Sequence, residues 1–467
     1  MRLFSAATLI PGGLAALGIA AVALWIGVEP VTRIEARVPG LDRPKISAQA
    51  EVVRPLIGTL IPGSGRIANL PGAWPNFRGA RFDGVGAPDS QLARHWPGAG
   101  PVPLWSRELG EGHAGAAVRS GRVFVLDYDR EKAADTLRCL SLQDGAEAWR
   151  FSYPVAVKRN HGMSRTVPAV TDKYVVALGP KCHVCCLDPI TGRLYWLVDL
   201  VRQFGATVPP WYAGQCPVID RDRAILAPGG EALLVALDCA TGQIVWKSPN
   251  PRGWTMTHSS IMPMEFAGRR MFVYCGNGGV AGVAADNGDL LWDTTAWKIS
   301  IATVPSPVIL PEGRIFLSGG YNSGGMMLRL AEHEGRILVK TEYTVGPAVF
   351  GSTQQTPILY EGLLYGVREK DKQLVCLEPE EGCVVWASGS QHRFGIGPYL
   401  AADGLIFVMN DTGQLTLVEA SPKGYKQLGQ AQVLEGHDSW GPMALCGGRL
   451  IVRDLTRMTC LDVAGKE

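Results

Sequence analysis

Histidine and arginine side chains recur at a similar place along this sequence, a few residues before short apolar segments that open with a small residue or proline. His113 and Arg165 stand three residues before such an opening position. His258, Arg393 and His437 stand five residues before one. If brought together, imidazole and guanidinium groups would hold an anionic partner through charge-assisted hydrogen bonds. With polar and aromatic neighbours included, the candidate ligand-binding residues are His113, Arg165, Tyr212, Gln215, His258, Gln354, Gln355, Arg393, His437 and Trp440.

Imidazoles that lie close to guanidinium groups should resist protonation, because like charges disfavour the charged form. An anion would relieve that repulsion. Anion binding is therefore expected to strengthen as the pH falls through the imidazole range near ~6.5. A structural role is the alternative, in which these side chains hydrogen-bond neighbouring loops and fill the space between them.

The sequence offers little for catalysis or metal binding. Glu111 and Asp438 are the acidic residues near these positions, too few for a calcium site. The 11 cysteines show no spacing typical of a zinc site, and no metal is predicted. Nucleophilic triads and phosphate-binding glycine loops have no convincing form. Whether the protein is an enzyme stays open at this point.

Tryptophan sets the repeat that must position these residues. Strand-like segments carry it at intervals of 44 to 50 residues and once more after a double interval of 94. The positions are Trp105, Trp149, Trp196, Trp246, Trp292 and Trp386. One repeat, near residues 335–339, is predicted to have lost its aromatic residue. An acidic residue, a short polar turn and a glycine precede most of these tryptophans, as in residues 188–192, which is typical of a β-hairpin.

The apolar segments give the number of repeats. Their opening positions, 41 to 52 residues apart, are Ala116, Pro168, Pro217, Pro263, Pro307, Pro357, Pro398 and Pro442. Four short strands in each period of ~45 residues predict an all-β fold, an eight-bladed β-propeller with four-stranded antiparallel blades. Since the residues before each innermost strand converge at the channel mouth, the candidate residues are expected to line a central funnel.

The two ends of the repeat are predicted to meet in one blade. The last period stops at a third strand near residues 460–463, and the strand around Trp105 has no blade of its own. The N-terminal strand near residues 102–109 is therefore expected to complete the last blade. Joining the ends in one sheet leaves no unpaired edge where the ring closes.

The N-terminal segment is apolar. Residues 3–28 contain no charged side chain, which is long enough to span a bilayer. We predict a hydrophobic helix in a signal anchor or signal peptide over residues 1–29, a spacer over 30–73 and the propeller over 74–467. An uncleaved membrane anchor is favoured over a cleaved signal, which would release a secreted protein.

Charge excludes one class of partner. Lys and Arg number 45 against 43 for Asp and Glu, which gives a net charge of +2. A nucleic-acid-binding protein normally shows a basic excess or a basic stripe, so no nucleic-acid partner is predicted.

The repeated hairpin, with its acidic residue, Thr-Gly turn and tryptophan, resembles the repeat of quinoprotein-type (PQQ-like) eight-bladed propellers. Residues 74–79, Trp-Pro-Asn-Phe-Arg-Gly, followed by Asp83-Gly84-Val85, are similar to the entry segment of exported propellers of this type. The resemblance implies a propeller on the extracytoplasmic (periplasmic) side of the membrane. The repeat itself does not settle function, and together with the histidine and arginine residues we predict a module that binds an unknown protein, or an anionic small molecule or glycan, through its funnel. A PQQ-dependent or related oxidoreductase acting on an alcohol or sugar is the alternative.

Two details of such families carry over poorly. Cys185-Cys186 resembles the bridged pair of PQQ-dependent alcohol dehydrogenases, but it lies in a hairpin strand, so a structural role is favoured. No cofactor is assigned, and PQQ is kept only as a possibility. The propeller lipoprotein of outer-membrane assembly needs a lipid-bearing cysteine after its signal, whereas the first cysteine here is Cys139.

Overall fold

The computed structural model describes residues 6–27, 56–87 and 91–465. The chain forms two compact units, Met1–Arg54 and Pro55–Glu467. In the first, α1 (Ala6–Gly27) is built from alanine, leucine and other apolar residues, as predicted for a hydrophobic helix. Over the described residues, no helix combines the length and apolar character needed to cross a membrane, so the predicted membrane anchor is not supported. Residues 30–55 of the predicted spacer lie outside the described residues, and the domain boundaries stay predictions.

The second unit is the predicted propeller of eight antiparallel blades. Blade 1 contains β1 (Thr59–Pro62), β2 (Ala73–Trp74), β4 (Ala117–Arg119), β5 (Arg122–Asp129), β6 (Ala134–Ser141) and β7 (Glu147–Pro154), and β3 (Val102–Glu108) belongs to blade 8. Blade 2 contains β8 (Ala169–Val170), β9 (Val175–Leu178), β10 (His183–Leu187) and β11 (Leu194–Asp199), followed by α2 (Leu200–Phe204). Blade 3 contains β12 (Val218–Asp220), β13 (Arg223–Leu226), β14 (Val235–Asp238) and β15 (Ile244–Lys247). Blade 4 contains β16 (Met262–Phe266), β17 (Arg269–Gly276), β18 (Gly279–Ala284) and β19 (Leu290–Thr294).

The other four blades repeat this arrangement. Blade 5 contains β20 (Val308–Ile309), β21 (Arg314–Gly319), β22 (Gly324–His333) and β23 (Arg336–Val345). Blade 6 contains β24 (Ile358–Tyr360), β25 (Leu363–Val367), β26 (Leu374–Leu377) and β27 (Val384–Ala387). Blade 7 contains β28 (Tyr399–Ala402), β29 (Leu405–Met409), β30 (Gln414–Glu419) and β31 (Gln427–Gln432). Blade 8 contains β32 (Ala444–Cys446), β33 (Arg449–Arg453), β34 (Arg457–Asp462) and β3.

The ring closes as predicted. β3 pairs antiparallel with β34, with Trp105 opposite Cys460, so blade 8 combines three C-terminal strands with one N-terminal strand. β1 adds a further strand outside β7 on blade 1, and it lies within the predicted spacer. Apolar side chains from neighbouring blades pack against one another and form the buried core between the sheets.

The repeated hairpin joins each blade to the next. In blade 2 the Asp188 carboxylate accepts two backbone N–H groups of the turn, at 2.8 and 2.9 Å. Gly192 has φ +73°, and a Cβ there would lie 2.7 Å from Trp149 of blade 1. The Trp196 indole N–H donates to the Cys239 carbonyl of blade 3 at 2.9 Å. The glycine therefore makes room for the preceding blade's tryptophan, and the tryptophan bonds to the following blade.

Blade 5 has not lost its aromatic residue, and that prediction is wrong. Tyr343 in β23 donates its hydroxyl to the Pro379 carbonyl of blade 6 at 2.8 Å. A Cβ on Gly382 would lie 2.7 Å from the Tyr343 ring. Tyr343 thus performs both roles of the tryptophan. Its position was missed because β22 and β23 are each ten residues long, which moves the turn at Gly335 farther from the aromatic position than in other blades.

An irregular segment, residues 73–86, closes one end of the channel; we call it the cross-strap. Trp74 pairs with the innermost strand of blade 1, and the Pro75 carbonyl accepts the Val170 N–H of blade 2. The Arg78 guanidinium donates to the carbonyls of residues 356 and 357 before blade 6, at 2.7 and 2.8 Å. Val85 bridges to Ala401 in blade 7. Because the cross-strap connects blades on opposite sides of the ring, it forms a floor across the channel.

Candidate functional site

The other end of the channel opens into a funnel with a cavity of about 420 Å³. Most of its walls come from the loops that precede the innermost strands, with Tyr321 added by the turn between β21 and β22, and all eight blades contribute. Phe77 of the cross-strap also lines it. The volume falls within the range of ~300–1,000 Å³ typical of small-molecule sites.

Six candidate residues line this cavity together. They are His113, Arg165, His258, Gln354, Gln355 and Trp440. They meet because each precedes an innermost strand by a few residues, as the repeat predicted. That they bind a ligand is a proposal.

Two other candidates are directed elsewhere by local hydrogen bonds. Gln215 is fully buried and exchanges two 3.1 Å hydrogen bonds with the Ala227 backbone, so its amide completes blade 3. Tyr212 donates its hydroxyl to the Lys158 carbonyl at 2.7 Å. Neither side chain belongs to the cavity lining.

Arg393 and His437 also lie outside the lining. Arg393 is exposed and sits on a short bridge to residue 373. The His437 side chain is 73 % exposed, with Nδ1 3.3 Å from an Asp438 carboxylate oxygen. Of the five predicted basic residues, only His113, Arg165 and His258 line the same cavity. The loops differ in conformation, so residues at the same distance before an innermost strand do not all face the funnel.

The sequence interpretation missed several lining residues. They are Phe77, His161, Trp211, Cys216, Ser260 and Tyr321. His161 lies four residues before Arg165 in a loop that also contains Lys158 and Arg159, and Trp211 is next to the candidate Tyr212, so the sequence contained a reason to consider both. Phe77 could not be found from the repeat, since the cross-strap lies outside it.

Arg165 is a half-buried cation held by backbone carbonyls. Its Nε donates to the Trp211 carbonyl at 2.6 Å, and Nη2 donates to the Asn160 and His161 carbonyls at 2.7 and 3.0 Å. Among the described residues, no carboxylate pairs with it and Nη1 has no hydrogen-bond partner. Burial lowers the pKa of Arg165 to about 10, which still leaves the guanidinium charged at neutral pH. The funnel therefore contains a cation with an unused donor.

His113 is neutral and has a free lone pair. It is 6 % exposed, and its Nε2 lies 3.0 Å from the His161 carbonyl, which can only accept, so Nε2 carries the proton. Nδ1 is buried with no partner in the described part of the chain. Burial, followed by the nearby Arg165 charge, lowers the pKa of His113 to about 3. Its ring packs on Trp440, with centroids 5.2 Å apart.

His258 has the same character on the other wall. Its Nε2 is buried without a partner among the described atoms, and the Trp211 and Tyr212 backbones lie beside the ring. Burial, then the Arg165 charge, lowers the pKa of His258 to about 4. A Cβ on Gly214 would lie 2.4 Å from His258 Cδ2, so glycine is required for the ring to pack there. The pH range near ~6.5 predicted for protonation is therefore corrected downward, with burial as the larger cause.

The residues present do not fit a calcium-bound quinone. No Asp or Glu belongs to the cavity lining, and the described residues contain no cluster of three or more His, Cys, Asp or Glu able to hold a metal. Cys185 and Cys186 are buried free thiols on opposite faces of β10, in two different core clusters away from the lining. Burial raises the pKa of both thiols. Their structural role is consistent with this placement.

Comparisons with known proteins agree with the fold. A solved structure of BamB from Moraxella catarrhalis is 13 % identical, with 77 % of this chain and 99 % of that chain covered and a TM-score of 0.55. The computationally designed Ika8 protein is 10 % identical, with the same coverage and a TM-score of 0.51. These similarities show the propeller fold alone.

A curated relative and a family model extend the comparison. The 1-butanol dehydrogenase (quinone) of Thauera butanivorans is 26 % identical over 161 residues, 31 % of this chain. The match spans only 24 % of that relative's length. A PQQ-type family model described as outer membrane protein assembly factor BamB matches residues 133–388. Because that match covers more than half of the chain, the protein belongs to this family of PQQ-like propellers.

Proposed function

We propose that this protein is an extracytoplasmic module that binds a small ligand in its funnel. The observation that carries the proposal is the unpaired Nη1 of Arg165 beside two neutral imidazoles whose buried nitrogens lack partners. Buried polar groups are usually hydrogen-bonded, and an unsatisfied one costs free energy that a ligand would recover. The family's description, which refers to the outer membrane, and the apolar N-terminal segment support the location.

The test is calorimetric titration of the full chain with a panel of small carboxylates, phosphates, sulfates and neutral sugars. Val304 is a half-buried cavity residue whose side chain has no polar group. The variant Val304→Trp should fill the funnel without removing a hydrogen bond. The matched control is Val201→Trp, at an exposed valine on α2 outside the lining. We expect a panel member to bind the wild type and Val201→Trp equally and Val304→Trp at least ten times more weakly. Equal binding to all three proteins, or no binding to any, would overturn the proposal.

A quinone-dependent oxidoreductase is the second candidate, favoured by the match to the 1-butanol dehydrogenase (quinone). The absence of carboxylates from the funnel lining weighs against it. Incubation of the full chain with PQQ and Ca²⁺, followed by an alcohol and a redox dye, distinguishes the two. Saturable PQQ binding with alcohol-dependent dye reduction would favour the enzyme; their absence would favour the binding module.

A further inference from the structure

The charge of the funnel restricts its ligand. Arg165 is the one lining side chain with a permanent charge in the described part of the chain, and no acidic side chain lines the cavity. Of the three lining histidines, His113 and His258 are neutral at neutral pH, because burial and the neighbouring guanidinium hold their pKa values low, and the third, His161, is exposed to solvent. Arg453, the other cation facing His113, lies beside Asp127 and Asp454, which offset it. A ligand with one negative charge matches this site, whereas several charges would leave some unpaired in a half-buried setting.

The unpartnered nitrogens restrict the ligand further. Nδ1 of His113 carries a lone pair, since Nε2 donates to the His161 carbonyl, and we assign the lone pair of His258 to Nε2, which has no partner among the described atoms. Both nitrogens are shielded from the empty funnel, so each ring must turn toward the cavity before its lone pair can accept a hydrogen bond from a neutral ligand group such as a hydroxyl. A carboxylic acid without hydroxyl groups would pair with Arg165 but leave both imidazoles unsatisfied.

Aromatic side chains form part of the remaining walls. Phe77, Trp211, Tyr321 and Trp440 contribute to the lining. Trp440 is fixed in orientation, because its indole N–H donates to an Asp411 carboxylate oxygen at 2.8 Å. Flat apolar walls with a few convergent polar groups suit a ring whose faces are C–H groups and whose edge carries hydroxyls.

From these three restrictions we infer that the funnel binds a monosaccharide acid, with its single carboxylate on Arg165 Nη1 and hydroxyl groups donating to His113 and His258. The inference rests on the proposed ligand-binding function and specifies its ligand class.

The experiment is calorimetric titration of the full chain with four probes. D-galacturonate carries both features, D-galactose lacks the carboxylate, cyclohexanecarboxylate lacks the hydroxyls, and inorganic phosphate replaces the carboxylate by a more highly charged anion. We expect galacturonate to bind at least tenfold more tightly than each of the other three. Tighter binding of galactose, cyclohexanecarboxylate or phosphate would overturn the ligand class while leaving a funnel ligand in place. Failure of all four, together with failure of the wider panel, would overturn the binding function as well.

Variants locate the site. His258→Phe keeps a flat ring but removes the lone pair, and we expect about tenfold weaker galacturonate binding with little change for cyclohexanecarboxylate. The matched control, His437→Phe, changes an exposed histidine outside the lining and should bind as the wild type does. His113→Phe is the second variant, used if thermal unfolding shows that His258→Phe is not folded. Unchanged galacturonate affinity in the folded variants would contradict the assignment.

Discussion

Arg165 remains charged in the funnel because backbone carbonyls, not carboxylates, surround it. Carbonyl dipoles stabilise the cation without cancelling its net charge, so the site keeps its attraction for an anion. The same guanidinium, added to burial, keeps His113 and His258 uncharged. The funnel thus combines one cation, Arg165, with two neutral imidazoles, His113 and His258.

The first prediction concerns the pH dependence of ligand binding. With pKa values of about 3 and 4, two of the three lining imidazoles, those of His113 and His258, do not change charge above pH 5. In a His161→Asn variant, which lacks the third lining imidazole, the affinity for a monoanion such as galacturonate should therefore be constant within twofold between pH 5.5 and 8, measured calorimetrically. A tenfold rise as the pH falls through 6.5 would show that a funnel histidine titrates at its ordinary pKa.

The second prediction concerns Asp135, a fully buried carboxyl that accepts the Tyr153 hydroxyl. Burial, opposed by that hydrogen bond and reinforced by Asp127, raises the pKa of Asp135 to about 7. Between the ordinary carboxyl pKa near ~4 and pH 7, the folded protein holds a proton that the unfolded chain has lost. The free energy of unfolding should therefore fall with rising pH in this window, by up to about 1.4 kcal/mol per pH unit for one group.

Asp135→Asn removes this proton linkage. Chemical denaturation from pH 4 to 8 should show the variant gaining stability relative to the wild type as the pH rises to 7, then keeping a constant difference. Asp286→Asn, at an exposed carboxylate, is the control and should follow the wild type. Parallel curves for Asp135→Asn and the wild type would mean that Asp135 is ionised throughout.

At the scale of elements, the hairpin glycine and the aromatic residue form one interlocking pair between blades. Gly382 and Gly362 have similar φ angles, +74° and +79°, but only Gly382 faces an aromatic ring. A Cβ at Gly382 would meet Tyr343 at 2.7 Å, and a Cβ at Gly362 would meet nothing within 4 Å. Alanine substitutions at the two positions therefore separate the cost of backbone strain from the cost of a clash with the Tyr343 ring.

We predict that Gly362→Ala costs about 1 kcal/mol, the strain of a left-handed alanine, and that Gly382→Ala costs at least twice as much. The free energies of unfolding of both variants, from denaturant titration, give the comparison. Equal losses would show that the Tyr343 ring moves aside freely and that it does not lock blade 5 to blade 6.

For the whole molecule, the sequence predicted the eight blades, the closing strand and six of the funnel residues. These follow from repeated local patterns, which recur because each blade must contact its neighbours in the same way. It could not predict the cross-strap, because Arg78 bonds to residues 278 and 279 positions away and no repeat contains it. Gln355 and Gln215 each stand two residues before the proline that opens an innermost strand. The sequence could not predict that only Gln355 lines the funnel, since the direction of each side chain depends on local hydrogen bonds.

Ring closure gives a prediction at this scale. Trp105 is buried and its indole N–H donates to the Leu142 carbonyl of blade 1 at 2.9 Å, whereas Val102 on the same strand is 54 % exposed. Trp105→Ala should lower the free energy of unfolding by about 3–5 kcal/mol, the range for a buried tryptophan, and Val102→Ala by less than about 1 kcal/mol. Similar small losses would contradict a ring held shut by β3.

The central claim is that the funnel is a closed-ended site for one small hydroxylated anion. A crystal structure of the full chain grown with D-galacturonate tests it most directly. We expect density for one sugar acid between Trp211 and Trp440, with its carboxylate within hydrogen-bond distance of Arg165 Nη1 and hydroxyls on His113 Nδ1 and His258 Nε2. Galacturonate on the outer surface, with only water in the funnel, would contradict it.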